Sequence, residues 1–246
     1  MTLDLDTPRR SPAATDDAIE HTHRDVSGGW LRPAVFGAMD GLVTNVSLIA
    51  GIGGSGASSH TIVLTGVAGL VAGAFSMATG EYVSVASQNE SVRAEVEVER
   101  LELARHPAAE LAELAASYER RGVDPVTARA VAEQLSANAE EALAAHTREE
   151  LGVDPGSLPS PWTAAASSFT CFSVGALLPL ATYLLGVTTL LPALIVAAVA
   201  LALAGGVTAR FTGRSVAFSA TRQLGLGALA AAVTFGVGHL IGAQVS

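Results

Sequence analysis

Residues 34–53 read AVFGAMDGLVTNVSLIAGIG, twenty residues with one ionisable side chain, Asp40. As a helix such a run rises about 30 Å, the thickness of a bilayer's hydrocarbon core. It therefore reads as a membrane span, and the carboxylate inside it needs a reason. On a helix Asp40 shares one face with Thr44 and Ser47, at i+4 and i+7. A bland reading has those hydroxyls satisfy the acid, or the segment not span at all. Against it, a charge at the bilayer centre costs about 3 kcal/mol even on insertion scales, so such residues face a cavity or a partner and mark transport pathways. The pathway reading is the stronger one.

Four more segments are long enough to span: 61–88, 163–185, 187–209 and 224–244. The chain is 50% hydrophobic and 15% charged, where a soluble domain carries about 25% charged residues. Beyond Asp154 there is no acid, and the only charges are Arg210, Arg214 and Arg222. The fold expected is an all-α membrane protein of five transmembrane helices, with a helical domain inserted between the second and third. Arg24 and Arg32 precede the first span, Arg93 and Arg100 follow the second, and Arg210, Arg214 and Arg222 separate the fourth from the fifth. The connections at 53–60 and Gly186 carry no arginine. By the positive-inside rule the N-terminus and inserted domain are cytoplasmic and the C-terminus is outside.

Four regions result: a mobile tail over 1–30, two spans over 31–89, an acidic helical domain over 90–158, and three spans over 159–246. The acidic domain holds fifteen of the 23 acidic residues and seven of the 14 basic ones, all arginine. The second span is expected to continue as helix to about Arg105. Pro107 suits the start of the next helix, which Gly122 closes. Asp124-Pro125 opens another, and Asn138 caps a last short segment that stops at Gly152. The 53–56 stretch, Gly-Gly-Ser-Gly, reads as the tight loop joining the first two spans.

Several function classes fall away. The single cysteine, Cys171, excludes an intramolecular disulfide framework or thiolate cluster. A net charge of −9 argues against a nucleic-acid partner. No signal peptide is expected. No catalytic triad order, P-loop or dinucleotide fingerprint appears, so neither an enzyme nor an ATP-driven pump is supported, and no prosthetic group is expected.

On the second span Met77, Glu81, Ser84 and Gln88 form one stripe. A thioether beside a carboxylate suits Fe²⁺ or Mn²⁺ better than Ca²⁺ or Mg²⁺, although a methionine alone is usually packing. Gly66, Gly69, Gly73 and Gly80 give the same helix small residues for close packing, within a protomer or across a dimer. In the acidic domain Glu95, Glu99 and Glu102 share a helical face, Glu110 and Glu113 pair on the next helix, and Glu149-Glu150 close the last. The bland reading is a solvated surface with Arg100 and Arg105 as counter-ions. Stacked like charges repel, however, and carboxylates from several helices are how a bundle builds an iron or manganese site. His146 could add a nitrogen, with a lone surface histidine as the simpler reading. The tail's His21-x-His23 is a weak metal motif, and His60 and His239 have no partner suggested by spacing.

The segments GWLRPAVFGAMDGLVTNVSLIAG, SMATGEYVSVASQNE, REELGV, GALLPL and TGRSVAFSATRQL together resemble the vacuolar iron transporter family, in order, over about 29–242. The resemblance implies a five-helix homodimer that moves Fe²⁺, and often other divalent metals such as Mn²⁺, out of the cytosol in exchange for protons. It implies that Asp40 and Met77 from both protomers line the pathway, and that Glu99, Glu102, Glu110, Glu113 and Glu150 collect metal. Glu81, in the family's Gly-Glu-Tyr motif, would be a proton or metal relay. One departure is visible: members with this domain often carry a Met pair where this chain has His146-Thr147. The all-arginine basic set, with abundant Ala and Gly, hints at a bacterial source, for which the membrane would be the cell's inner one. A rival reading is a membrane-anchored metal buffer or sensor without transport, for which Asp40 and Glu81 would have no use. A di-iron ferroxidase would need Glu-x-x-His pairs, and the acidic domain has none.

Overall fold

The computed structural model describes residues 29–245. The expected tail over 1–30, with His21 and His23, lies outside the described residues except for Gly29 and Trp30. Eight α-helices follow in order: α1 (Leu31–Gly54), α2 (Ser59–Arg105), α3 (Pro107–Arg120), α4 (Pro125–Leu135), α5 (Ala139–His146), α6 (Pro161–Leu184), α7 (Leu190–Thr212) and α8 (Val216–Val245). A π-helical turn, Thr147–Leu151, and a 3₁₀ turn, Pro155–Ser157, lie between α5 and α6. There is no strand among the described residues.

Local chemistry fixes most boundaries. Ser58 accepts from the Thr61 amide at 3.3 Å and opens α2. Asp124 caps α4 through the Val126 and Thr127 amides at 3.2 and 3.1 Å, and Asn138 caps α5 through Glu140 at 2.9 Å. Pro107, Pro125 and Pro161 each sit in a first turn, where a missing N–H is harmless. Gly122 (φ +95°) and Gly213 (φ +65°) end α3 and α7 in the left-handed region.

Five helices, α1, α2, α6, α7 and α8, are long and apolar enough to cross a membrane. Their limits differ from the hydropathy windows. Gly53 and Gly54 belong to α1, so the first connection is the turn over 55–58, with Gly56 at φ +78°. α8 begins at Val216, eight residues before its apolar window, because the Ser215 hydroxyl caps the Phe218 amide at 3.2 Å. α1 is the central helix and packs against α6, α8, α2 and α7. Glycine makes that possible: a Cβ on Gly37 would lie 2.7 Å from the Ser168 carbonyl, and one on Gly41 or Gly175 would also meet facing backbone. Gly238 and Gly242 bring α8 equally close to the end of α1.

Asn45, 1% exposed, donates from Nδ2 to the Ala176 carbonyl at 2.6 Å and ties α1 to α6. α2 is one unbroken helix of 47 residues, about 70 Å long. Its second half carries α3–α5, which pack on one another around Leu114, Ala115, Ala132 and Ala145. Asn89 joins this extension to the start of α6 by donating to the Pro159 carbonyl at 2.8 Å.

Candidate metal centre

The acidic unit gathers four of the expected ligands. Glu99 comes from the extension of α2, Glu110 from the first turn of α3, His146 from the end of α5 and Glu150 from the π-helical turn. One donor atom of each lies within 4.8 Å of all the others. His146 Nδ1 stands 3.0 Å from Glu99 Oε1, 3.1 Å from Glu150 Oε1 and 3.7 Å from Glu110 Oε2. The π-helical turn, a feature frequent at functional sites, keeps Glu150 over His146 while Glu149 turns away to pair with Arg121. Glu99 and Glu110 are 13% and 11% exposed as side chains and Glu150 36%, so the cluster opens to solvent on the Glu150 side.

His146 is wholly buried, which corrects the simpler expectation of a surface histidine. The cause is the small-residue face of α5: Ala142, Leu143 and Ala145 pack inward and take the ring with them. No arginine pairs with the four clustered side chains among the described residues. Arg100 reaches Glu97 and Glu140 on the rim at 3.6 and 3.4 Å, and Arg121 is held by Glu149. The electrostatic consequence falls on the carboxyls. Burial, then the neighbouring Glu150, push the Glu99 pKa above its ordinary value against the opposing effect of His146; Glu110 and Glu113 add to the rise. Glu110 is raised by burial, again against His146, with Glu113, Glu150 and Glu102 contributing. A cation among these groups would remove the repulsion, and three carboxylates with one imidazole form a donor set suited to Fe²⁺ or Mn²⁺.

The other expected acids stand outside. Glu95 and Glu113 are exposed. Glu102 lies 3.9 Å from His106. Glu102 and Glu113 are near enough to act on the carboxyls but offer no donor atom to the four-residue cluster.

In the spans, Thr44 Oγ1 donates to Asp40 Oδ1 at 2.9 Å, as the i+4 spacing expects. Asp40 is half-buried and has no other polar partner among the described residues. Glu81 is buried at 8% exposure and makes no hydrogen bond or ion pair among the described residues. Met77 packs beside Ala74, Phe172 and Ala176, while Ser84 and Gln88 on its stripe are exposed. α1 and α2 are joined by a short turn and run antiparallel, so depth can be counted from it. At 1.5 Å per residue Asp40 lies about 21 Å in, Met77 about 27 Å and Glu81 about 33 Å. The glycines of α2 divide: a Cβ on Gly66, Gly69 or Gly73 would meet Leu180, Leu48 or Phe172 of the same chain, whereas nothing lies within 4 Å of Gly80. Asn45, buried in the same polar-spotted run as Asp40, is a polar core residue that helical spacing alone did not single out.

A model of the VIT family matches residues 31–239. A vacuolar iron transporter of Acanthamoeba castellanii is 41% identical over 232 residues, covering 91% of this chain and 83% of the relative. Vacuolar iron transporter 1 of Oryza sativa subsp. japonica is 31% identical, covering 94% of this chain and 95% of its own. Vacuolar iron transporter 1 of Arabidopsis thaliana is 30% identical, with 87% and 88% covered.

Proposed function

The chain belongs to the VIT family, and from that premise we propose that it is a transporter of ferrous iron, and of manganese or similar divalent ions, that exports them from the cytosol in exchange for protons as a homodimer. The observation that carries this reading is the continuity of α2. One rigid helix holds Glu99 of the acidic cluster at one end and Met77 and Glu81 among the spans at the other.

Metal first meets Glu99, Glu110, His146 and Glu150, with Glu95, Glu102 and Glu113 as an outer ring of negative charge. It then passes to Asp40, Thr44 and Met77, with Glu81, the nearest of these to the acidic unit by depth along α2, as the relay between them, and protonation of Asp40 from the far side releases it. The arginine distribution supports a cytoplasmic acidic unit; for a bacterial source the membrane would be the cell's inner one. The homodimer is supported by α2, where Ala68, Ala72, Ser76, Gly80 and Ser84 form an exposed small-residue stripe of the kind along which membrane helices associate.

Flux into proteoliposomes tests the reading, using Fe²⁺ under reductant, Mn²⁺ and Mg²⁺ with and without a pH gradient. The expected result is Fe²⁺ and Mn²⁺ flux coupled to proton movement in the opposite direction. Metal binding without flux would instead identify a membrane-anchored buffer.

A further inference from the structure

We propose that His146 sets the metal preference of the acidic cluster, selecting a transition-metal ion over Mg²⁺ and Ca²⁺ by supplying through Nδ1 the one nitrogen donor of an otherwise all-carboxylate site. This rests on the reading of Glu99, Glu110 and Glu150 as metal ligands and assigns the selectivity to a single side chain.

Three observations converge on the imidazole. First, all three carboxylates point at one atom, His146 Nδ1, at 3.0, 3.1 and 3.7 Å. Second, Glu99 Oε1, a buried atom 3.0 Å from Nδ1, has no hydrogen bond, while Nδ1 itself meets Glu150 Oε1 at 3.1 Å. Buried polar groups are normally paired, and an ion seated between Nδ1 and the carboxylates would give the Glu99 oxygen its partner. Third, the neighbouring Thr147, equally buried, is occupied elsewhere. Its hydroxyl donates to the Leu143 carbonyl at 2.9 Å and the Ala144 carbonyl at 3.3 Å. Of this pair only His146 faces the cluster.

Four donor atoms within 4.8 Å of one another are close enough to share an ion. Mg²⁺ and Ca²⁺ take oxygen ligands, so an imidazole in place of a fourth oxygen weakens them. Imidazole suits the later divalent ions, whose affinity rises along the Irving–Williams order. With Nδ1 as ligand the ring proton sits on Nε2, and the ring is oriented by the packing of α5 rather than by a hydrogen-bonded partner.

The test uses the full chain in detergent, with His21 and His23 changed to Gln throughout so that the tail supplies no imidazole. Calorimetric competition gives affinities for Co²⁺, Mn²⁺, Mg²⁺ and Ca²⁺. In His146→Gln the ratio of Co²⁺ to Mg²⁺ affinity should fall on the order of tenfold or more, as for other lost support at metal sites. His146→Asp should shift the ratio the same way while retaining Ca²⁺ binding. Because a buried substitution can unfold the unit, pulsed EPR of the protein with His146 intact and Mn²⁺ bound provides a second readout. Coupling to a coordinated imidazole nitrogen is expected there and should be absent in His146→Gln. No such coupling, or an unchanged affinity ratio in a folded His146→Gln, overturns the proposal. In an Asp40→Asn background, which removes the carboxylate proposed for the pathway, the pair Glu99→Gln with Glu150→Gln should abolish the remaining metal binding; binding retained there would overturn the reading of the cluster itself, and this inference with it.

Discussion

At Asp40 the Thr44 hydroxyl occupies one carboxylate oxygen, and the rest of the group is available to a cation. Asp40→Asn keeps an acceptor for Thr44 and removes only the charge. Fe²⁺ flux in proteoliposomes should drop to the level of protein-free vesicles, while metal binding by the acidic cluster stays unchanged; flux surviving in the variant would reassign the pathway. The cluster makes a different prediction, through pH. The Glu99 and Glu110 pKa values are raised on folding, so their contribution to apo-protein stability is full below the unfolded-state pKa and is lost as pH rises through the folded one. Metal acts oppositely, since its ligands must be deprotonated. The rise in melting temperature caused by Mn²⁺ should therefore be larger at pH 7 than at pH 5, and a shift independent of pH would exclude these carboxyls as ligands. The helical face shared by Glu95, Glu99 and Glu102, and the place of Glu150 at the close of the last acidic segment, were readable from sequence. The burial of His146 was not, because it depends on which face of an alanine-rich helix meets α3 and α4.

Among the elements, the five apolar helices and the caps at Asp124 and Asn138 were legible, since each is set by local composition. What escaped the sequence was which glycines are contact points. The glycine stripe lies on α2, yet the tightest backbone approaches are at Gly41 and Gly175 between α1 and α6 and at Gly238 of α8 against α1. Spacing identifies a small-residue face but not its partner. Gly41→Val would drive side-chain atoms into the Phe172 backbone, an overpacking worth about 1–3 kcal/mol, and should lower the melting temperature of the purified protein. A Cβ at Gly80 meets nothing within 4 Å in the rest of the chain, so the melting temperature of Gly80→Val should change far less than that of Gly41→Val. If α2 forms the dimer contact, the same Gly80→Val protein should show a reduced dimer fraction by light scattering. A Gly80→Val dimer as stable as the unmutated one would move the interface elsewhere.

For the whole molecule, the direction of transport depends on which side of the membrane holds the acidic cluster. α2 carries the cluster away from the turn over 55–58, and the end of α7 with Arg210, followed by the α7–α8 connection with Arg214, shares the cluster's side if all five apolar helices cross. The turns over 55–58 and 185–189 then lie together on the opposite side, and neither contains a charged residue. Two sets of loops therefore differ in charge as the positive-inside rule requires. Single cysteines in a Cys171→Ser background can read this directly. Ala57→Cys should react with a membrane-impermeant maleimide in intact cells, whereas Glu141→Cys in α5 and Thr212→Cys at the end of α7 should react only after permeabilisation. Labelling of Glu141→Cys from outside, with Ala57→Cys protected, would reverse the orientation and turn the proposed exporter into an importer. Glu141→Cys and Thr212→Cys on opposite sides would mean that one of the apolar helices between them does not cross. The positions avoid the cluster, the α1 glycine contacts and the left-handed turn residues, so each outcome reports topology rather than damage to the fold.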